Sequence, residues 1–141
     1  MDKIYDILKQ EHVKVMQLFD EAISKESKDV FMQLKSELDI HMEGEEKLYY
    51  PQLENKKEAT EVALEGYEEH HVAKLLLSEI EKTPVDDKRW VAKMKVLKET
   101  VEHHVKEEES EIFEKSRSVL SDSQAEEIGS KYMEFKQEQS G

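Results

Sequence analysis

The sequence predicts an all-α protein, an up-down-up-down antiparallel four-helix bundle with a short C-terminal fifth helix. Glycine occurs only 4 times and proline only 2 times in 141 residues, which leaves few breaks between helices. Apolar residues recur at intervals of three and four, the period of an amphipathic helix, whereas runs with a period of two are absent. The length fits a single domain over residues 1–141.

The helical periodicity divides the chain into long segments joined by short loops, an arrangement that favours antiparallel neighbours. Pro51 is expected to end or kink the second segment, and Pro84 falls in the loop after the third. The short fifth helix is predicted to start after Ser121, whose side chain can cap it, and the tail after Phe135 is expected to fray. The four long helices are predicted over about residues 2–24, 28–50, 58–82 and 87–116.

Composition excludes several classes of function. The formal net charge of -13 argues against binding to nucleic acid or to an anionic membrane surface, because like charges repel. The absence of cysteine excludes disulfides, iron–sulfur clusters and thiol catalysis. The N-terminal residues lack the apolar core of a signal peptide, and no segment is apolar enough to span a bilayer. We therefore expect a cytoplasmic protein.

Two predicted helices carry charged or polar residues where their apolar stripes call for leucine. His41 and Glu45 continue the stripe of the second helix, and His104 and Glu108 continue that of the fourth. A buried carboxylate without a partner costs roughly several kcal/mol, so something positive must compensate both glutamates. Residues four apart lie on one helical face, so each His-x-x-x-Glu pair can direct two metal-binding groups to the same place.

An internal repeat strengthens this interpretation. A shift of 63 residues places His41 and Glu45 on His104 and Glu108, and a shift of 58 residues places the first helix on the third. The chain therefore consists of two similar helical hairpins. Each hairpin offers one histidine from its first helix and a His-x-x-x-Glu pair from its second. Packed about a pseudo-twofold axis, they would form one central metal site from His12, His41, Glu45, His70, His104 and Glu108.

The sequence contains two doublets of adjacent histidines, His70–His71 and His103–His104, and only one histidine of each doublet can lie on the buried face of its helix. His70 and His104 continue apolar stripes, so they are predicted to point inward. His71 and His103 fall beside charged residues and are predicted to face solvent or to support the ligands from outside. The remaining acidic residues next to the motifs are interpreted as a solvated face; they are Glu46, Glu107, Glu109 and Glu111.

The predicted donor set restricts the metal. Imidazole and carboxylate together suit iron, zinc or manganese. Four histidines and two glutamates are too many ligands for one tetrahedral zinc ion. Two metal ions bridged by Glu45 and Glu108 would use the donors more economically, because each carboxylate has two oxygens.

Four segments carry a family resemblance: Gln-Glu-His12, His41-Met-Glu-Gly-Glu45-Glu-Lys-Leu-Tyr-Tyr-Pro51, Glu-Glu-His70-His and His104-Val-Lys-Glu-Glu108-Glu. Together they resemble the hemerythrin-like (HHE cation-binding) family from about Ile4 to Phe113. The resemblance implies a four-helix bundle with a carboxylate-bridged centre of two non-heme iron ions (Fe2+/Fe3+). The four inward histidines would be terminal ligands, and the two glutamates would bridge the irons.

One feature departs from the oxygen-carrying members of that family, which use two histidines four apart on the third helix. Here Gly66 and Lys74 flank His70 at that spacing, so the fifth histidine is missing. Tyr67, His71, a nearby glutamate or water could take its place. An open position would favour redox chemistry, peroxide or nitric oxide handling, or iron sensing and donation over simple oxygen carriage.

Several functions are compatible with such a site. The first is a binding protein or sensor for oxygen, nitric oxide or peroxide, with a small diatomic or peroxide molecule as its ligand. The alternative is an enzyme that reduces nitric oxide or peroxide, or an iron donor for iron–sulfur repair, which would need an electron-donor protein as partner. The lower alternative is a metal-free helical interaction bundle. The sequence assigns no catalytic residue, and nucleic acid and membrane are not expected partners.

Overall fold

The protein, described over residues 1–140 by a computed structural model, consists of helices and short connections and contains no strand in that range. The helix Ile4–Lys25 (α1) packs against the helices Lys28–Gly44 (α2) and Lys88–Glu107 (α5). The helix Thr60–Glu81 (α4) packs against the same two helices, so each helix of the bundle has antiparallel neighbours. The predicted four-helix bundle is therefore confirmed. In chain order the α-helices are α1 (Ile4–Lys25), α2 (Lys28–Gly44), α3 (Tyr50–Glu54), α4 (Thr60–Glu81), α5 (Lys88–Glu107), α6 (Phe113–Val119) and α7 (Asp122–Ser140).

Side-chain caps define where two of the bundle helices begin. The Ser27 side chain accepts a hydrogen bond from the Val30 N–H at 3.2 Å, and the Asp87 side chain accepts one from the Arg89 N–H at 2.9 Å. Both bonds satisfy N–H groups that have no partner within their helix. At the end of α1, Glu26 adopts the left-handed conformation with a φ of 46° and turns the chain into α2.

Two π-helical segments, Glu45–Tyr49 and Glu108–Ile112, interrupt the two helices that carry the His-x-x-x-Glu pairs. In each segment the first carbonyl accepts the N–H five residues later, where an α-helix would use the residue four later. The two segments are related by the same 63-residue shift as the sequence repeat, and each begins at a predicted ligand. The extra residue lets consecutive aromatic side chains, Tyr49 and Tyr50, both lie in the interior.

The chain continues as a helix through Pro51, which the sequence predicted to end or kink it. Pro51 lies at the start of α3, directly after the first π-helical segment. Proline has no N–H to donate, so it removes one backbone hydrogen bond from the helix. The Glu46 carbonyl, five residues earlier, accepts instead from the Tyr67 hydroxyl at 3.4 Å.

The apolar core is divided into two clusters by a polar layer across the middle of the bundle. Along α1, α2, α4 and α5 the predicted metal ligands lie between residues of one cluster and residues of the other. The first cluster includes Ile4, Tyr49, Leu53, Phe113 and Tyr132. The second includes Phe19, Leu34, Leu77, Trp90 and Leu97. No helix within residues 1–140 combines the length and the apolar character needed to cross a membrane.

The C-terminal helix α7 is longer than predicted. Ser121 caps it in a reciprocal arrangement with Gln124, as the sequence indicated, but the helix extends to Ser140 where a short element and a frayed tail were expected. It packs against α1, α2 and the first π-helical segment, and Tyr132 and Ile128 are buried there. This tertiary contact stabilises a C-terminal stretch whose composition is polar.

Gly129 allows α7 to approach the start of α1, and its replacement by alanine should destabilise the protein. A Cβ at this position would lie 2.5 Å from the Asp2 carbonyl oxygen, which is backbone and cannot move aside easily. We expect Gly129→Ala to lower the free energy of unfolding by about 1–3 kcal/mol, although alanine favours helix. Urea unfolding of Gly129→Ala and of the exposed control Glu134→Ala measures this. Equal stability of the two variants would contradict the close approach.

Candidate metal centre

All six predicted ligands lie in the polar layer and are buried. His12 comes from α1, His41 from α2, His70 from α4 and His104 from α5, and Glu45 and Glu108 begin the two π-helical segments. Both glutamates are 0% exposed. The structure thus brings together the residues that the two sequence motifs and the repeat singled out.

The six side chains form two groups of three donors. In each group the donor atoms lie within 4.8 Å of one another; the groups are His12, His41 and Glu108, and Glu45, His70 and His104. Each group takes two histidines from one hairpin and its glutamate from the other. Each hairpin therefore contributes its glutamate to the donor group of the other hairpin, and neither hairpin can form a complete group alone.

The two carboxylates lie between the groups. Glu45 Oε1 is 3.2 Å from His41 Nε2 and 3.0 Å from His70 Nε2, so it faces a histidine of each group. Glu108 divides its oxygens, because Oε1 is 3.0 Å from His12 Nε2 and Oε2 is 3.5 Å from His104 Nε2. This placement would allow each glutamate to bridge two cations.

Part of this layer has no hydrogen-bond partner among the described residues. Both carboxylate oxygens of Glu45 and Nε2 of His70 are buried and make no hydrogen bond of good geometry, although Glu45 Oε1 and His70 Nε2 lie 3.0 Å apart. An unpaired buried polar atom costs about 1–3 kcal/mol, and more when it is charged. These three atoms point to one region, so a cation bound there would satisfy all of them. The residues present therefore fit a metal.

Each of the four buried histidines also contacts a carboxylate through its outer nitrogen, Nδ1. The repeat relates these contacts in pairs: His12–Glu109 (2.6 Å) matches His70–Glu46 (2.7 Å), and His41–Glu11 (2.8 Å) matches His104–Glu69 (2.5 Å). A carboxylate can only accept, so each contact places a proton on Nδ1 and directs Nε2 inward. Carboxylate partners of this kind orient metal-binding histidines and raise their basicity.

These outer carboxylates correct the interpretation of the acidic residues. Glu46 and Glu109 were expected on a solvated face, but both bind a buried histidine. The 58-residue shift places Glu11 on Glu69, but the sequence pattern assigned no role to either glutamate. A signal existed: a glutamate directly precedes His12 and His70, and another directly follows Glu45 and Glu108.

Charge pairing decides the protonation of the layer. Burial alone would raise the pKa of Glu108, but its contacts with the surrounding groups, including His104 and His12, lower that pKa well below the usual value. Burial alone would lower the pKa of His104, but Glu108 and Glu69 outweigh it and raise the pKa to about 10. The pKa of His41 is likewise raised, because Glu45 and Glu11 outweigh the effect of burial. Without metal, imidazolium–carboxylate pairs hold the layer together.

Tyr50 fills the space beside Gly66, one of the two positions that flank His70 where a fifth histidine is missing. A Cβ at Gly66, one turn before His70, would lie 2.8 Å from Tyr50 Cε2 and 3.1 Å from its hydroxyl oxygen. The hydroxyl donates to Glu108 Oε2 at 2.5 Å and lies 3.5 Å from His104 Nε2. The phenol stays protonated, because burial and then the Glu108 charge raise its pKa. The sequence suggested Tyr67 or His71 as the replacement for the missing histidine. The signal for Tyr50 was its pairing with Phe113 in the 63-residue repeat, since the two residues differ by one hydroxyl group.

The other members of the histidine doublets lie outside the layer. His71 is exposed, and so is His103, which lies 3.0 Å from Glu107 Oε1 and 3.9 Å from Glu69 Oε2. In each doublet the buried histidine is the one that the helical periodicity predicted, His70 in the first and His104 in the second.

A four-helix bundle with histidine and carboxylate donors in its interior defines a class of metal-binding protein. The family model described as Hemerythrin HHE cation binding domain matches residues 3–116, and the chain belongs to that family. α7 lies beyond the matched residues.

Two relatives extend this finding. The structure is similar to the crystal structure of a hemerythrin HHE cation binding domain-containing protein from Mycobacterium kansasii, with a TM-score of 0.85 and 30% sequence identity, covering 99% of this chain and 89% of that one. The sequence is 28% identical over 133 residues to a protein of Nostoc sp. named DNA nickase. That match covers 92% of this chain and 38% of the relative, so the chain spans less than half of that protein.

The raised pKa of His104 predicts a stability that falls at alkaline pH in protein kept free of metal by a chelator. The pKa is about 10 in the folded protein and about 6.5 in an unfolded chain. The stability from His104 is therefore fully present below about pH 6.5 and is lost as pH rises through about 10. We expect urea midpoints to fall over this range. His71→Ala should keep the profile, and His104→Gln should make the fall smaller, with the remaining fall due to His41. A flat wild-type profile would refute the pairing.

The outer carboxylates predict a loss of cation affinity when one is neutralised. Glu46→Gln keeps an oxygen that can accept from His70 Nδ1 but removes the charge. We expect cation affinity, measured by competition with a chelator, to fall about tenfold or more. Glu43→Gln is the control, because Glu43 pairs with Lys47 on the surface. Similar losses in both variants would indicate a general charge effect.

Proposed function

We propose that this protein binds two iron ions in a carboxylate-bridged centre and binds or senses oxygen, nitric oxide or peroxide there. The observation that carries the proposal is the position of Glu45 and Glu108, whose oxygens face histidines of both donor groups. Imidazole and carboxylate donors in this mixture suit iron. The proposed ligands are His12, His41, Glu45, His70, His104 and Glu108.

A small cavity beside the donor groups supports a small ligand. It has a volume of about 20 Å³ and is lined by the four buried histidines and by apolar side chains that include Leu38, Met42 and Val101. A cavity must offer roughly 10–15 Å³ to hold one water molecule, so this one admits a ligand of one or two heavy atoms.

Two iron ions would supply the electrons that bind or reduce oxygen, nitric oxide or peroxide. The chain supplies the surroundings. The outer carboxylates hold each imidazole with Nε2 directed inward, and the two apolar clusters exclude bulk water on both sides of the layer.

The similarity to a DNA nickase does not extend to a proposal of that activity. The donor groups are buried, with both glutamates 0% exposed, so a DNA strand cannot reach them without opening the bundle. The net charge of -13 also opposes contact with phosphate. We propose that neither nucleic acid nor membrane is a partner.

Redox turnover at the same centre is a second candidate, with peroxide or nitric oxide as substrate and an electron-donor protein as partner. The observation that favours it is the buried Tyr50 hydroxyl, which donates to Glu108 and borders the donor groups. A hydroxyl in this place can deliver a proton to a reduced ligand, and Glu108 would hold the phenol in position. Simple binding needs no such proton donor.

Metal content tests the main proposal. Six inward donors in two groups should bind about two irons per chain in protein reconstituted without oxygen. Iron analysis together with optical spectra before and after exposure to oxygen, peroxide and nitric oxide measures this. A reproducible ratio near one would indicate a single-metal site, and protein that binds no metal would support the interaction bundle.

The two histidines of the α4 doublet should differ in their effect on iron. His70 is buried with its Nε2 unpaired, whereas His71 is exposed. We expect His70→Ala to lose at least one of the two irons and His71→Ala to keep both. Iron retention during dialysis against a chelator distinguishes them. Loss in the second variant alone would show that the other histidine is the ligand.

Tyr50→Phe separates binding from turnover. The variant removes the hydroxyl but keeps the ring that fills the space beside Gly66. If turnover is the function, we expect peroxide or nitric oxide reduction with a supplied electron donor to fall about tenfold or more, with two irons still bound. The control is Tyr67→Phe, because the partners of the Tyr67 hydroxyl are the Glu46 backbone carbonyl at 3.4 Å and the Glu54 side chain, and neither belongs to the donor groups. Unchanged turnover in Tyr50→Phe would remove the role of the hydroxyl.

A further inference from the structure

The C-terminal helix reaches the metal layer although it lies outside the residues that match the family. Two side chains of α7 contact Glu11, the outer partner of His41. The Tyr132 hydroxyl donates to Glu11 Oε1, and the Lys136 ammonium donates to Oε2 at 2.6 Å. Tyr132 is fully buried, so this contact is part of the interior.

Glu11 is held by three donors at once. Its Oε1 accepts from Tyr132 and lies 2.8 Å from His41 Nδ1, while Oε2 accepts from Lys136. A carboxylate whose two oxygens are both bound cannot rotate without breaking one of these bonds. The side chains of α7 therefore fix the direction from which Glu11 meets His41, and with it the imidazole plane.

The other half of the bundle lacks this clamp. Glu69, the repeat equivalent of Glu11, lies 2.5 Å from His104 Nδ1. Its other partners come from α5 and not from α7: His103 lies 3.9 Å from Oε2, and Glu107 hydrogen-bonds to Glu69. Gly44 in the first half corresponds to Glu107 in the second. A Cβ at Gly44 would lie 2.5 Å from the Tyr132 ring, so only a glycine leaves room for α7 here.

We propose that Tyr132 and Lys136 are positioning residues that act through Glu11 on His41 and leave His104 unaffected. α7 thereby makes the two donor groups unequal, although the repeat makes them alike in sequence. The effect on cation binding rests on the proposed function, whereas the effect on His41 does not. Two measurements keep these parts distinguishable.

The first measurement follows the histidine rings by NMR in protein kept free of metal. Tyr132→Phe removes one hydroxyl and keeps the buried ring. We expect the His41 Nδ1–H signal to shift and to exchange faster with water, while the His104 signal serves as an internal control and stays unchanged. Equal changes in both signals would mean general loosening, and no change at His41 would overturn the clamp.

The second measurement titrates the full-length protein with Zn²⁺ by calorimetry. We expect Tyr132→Phe to weaken one of two binding steps about tenfold and to leave the other within twofold. Lys131→Met is the control, because Lys131 lies on α7 and pairs only with Glu127 among the described residues. Weakening of both steps, or of neither, would contradict an action through one histidine. A wild type without two steps would refute the proposed two-cation centre, and the NMR result would then still decide the clamp.

Variants of Lys136 separate positioning from charge. Lys136→Met removes the donor and the charge, whereas Lys136→Gln removes the charge and keeps an N–H donor. If Lys136 acts by positioning, Met should weaken the same step and Gln should restore most of the affinity. If it acts only through its charge, both variants should bind the cation more tightly, because a positive group has been removed. That second result would overturn the proposed role of Lys136.

Discussion

Two buried carboxyl groups at the centre of a helical bundle are the constraint on which the rest of this structure depends. Glu45 and Glu108 are 0% exposed, and a charge removed from water to this degree must be compensated by opposite charge or by metal. Four histidines face these carboxyl groups on the inner side, and His41 and His104, whose pKa values are raised, provide positive charge there. Four further glutamates then bind the outer nitrogens of the histidines, so the charges alternate from the centre outward.

This alternation explains why the layer can exist both with and without a cation. When metal is absent, His41 and His104 carry protons that offset the carboxylate charge, as their raised pKa values indicate. When metal binds, it takes the place of those protons. The fold and the cation therefore compete for the same Nε2 atoms, and pH sets the balance between them.

The repeat gives the layer its near symmetry, and a few residues break it. Tyr50 and Phe113 are equivalent by the 63-residue shift, but only Tyr50 has a hydroxyl to donate to Glu108. Gly44 and Glu107 are equivalent as well, but only the glycine admits α7. Residues that the repeat relates form the donor groups, and residues that differ between the two halves surround them. The two donor groups can therefore differ in chemistry although each consists of two histidines and one glutamate.

The sequence alone determined the helical bundle and the buried side of each helix, because hydrophobic periodicity and the repeat are local properties of the chain. It also singled out the six inward donors, since a glutamate on an apolar stripe demands a partner. Only the tertiary structure decided which glutamate joins which histidines, that Glu46 and Glu109 bind His70 and His12, and that α7 is a long helix. Those outcomes depend on contacts between residues about 24 to 125 positions apart, which no local pattern encodes. The same holds for Tyr50, because a π-helical turn changes the phase of the helix and brings its hydroxyl to the centre.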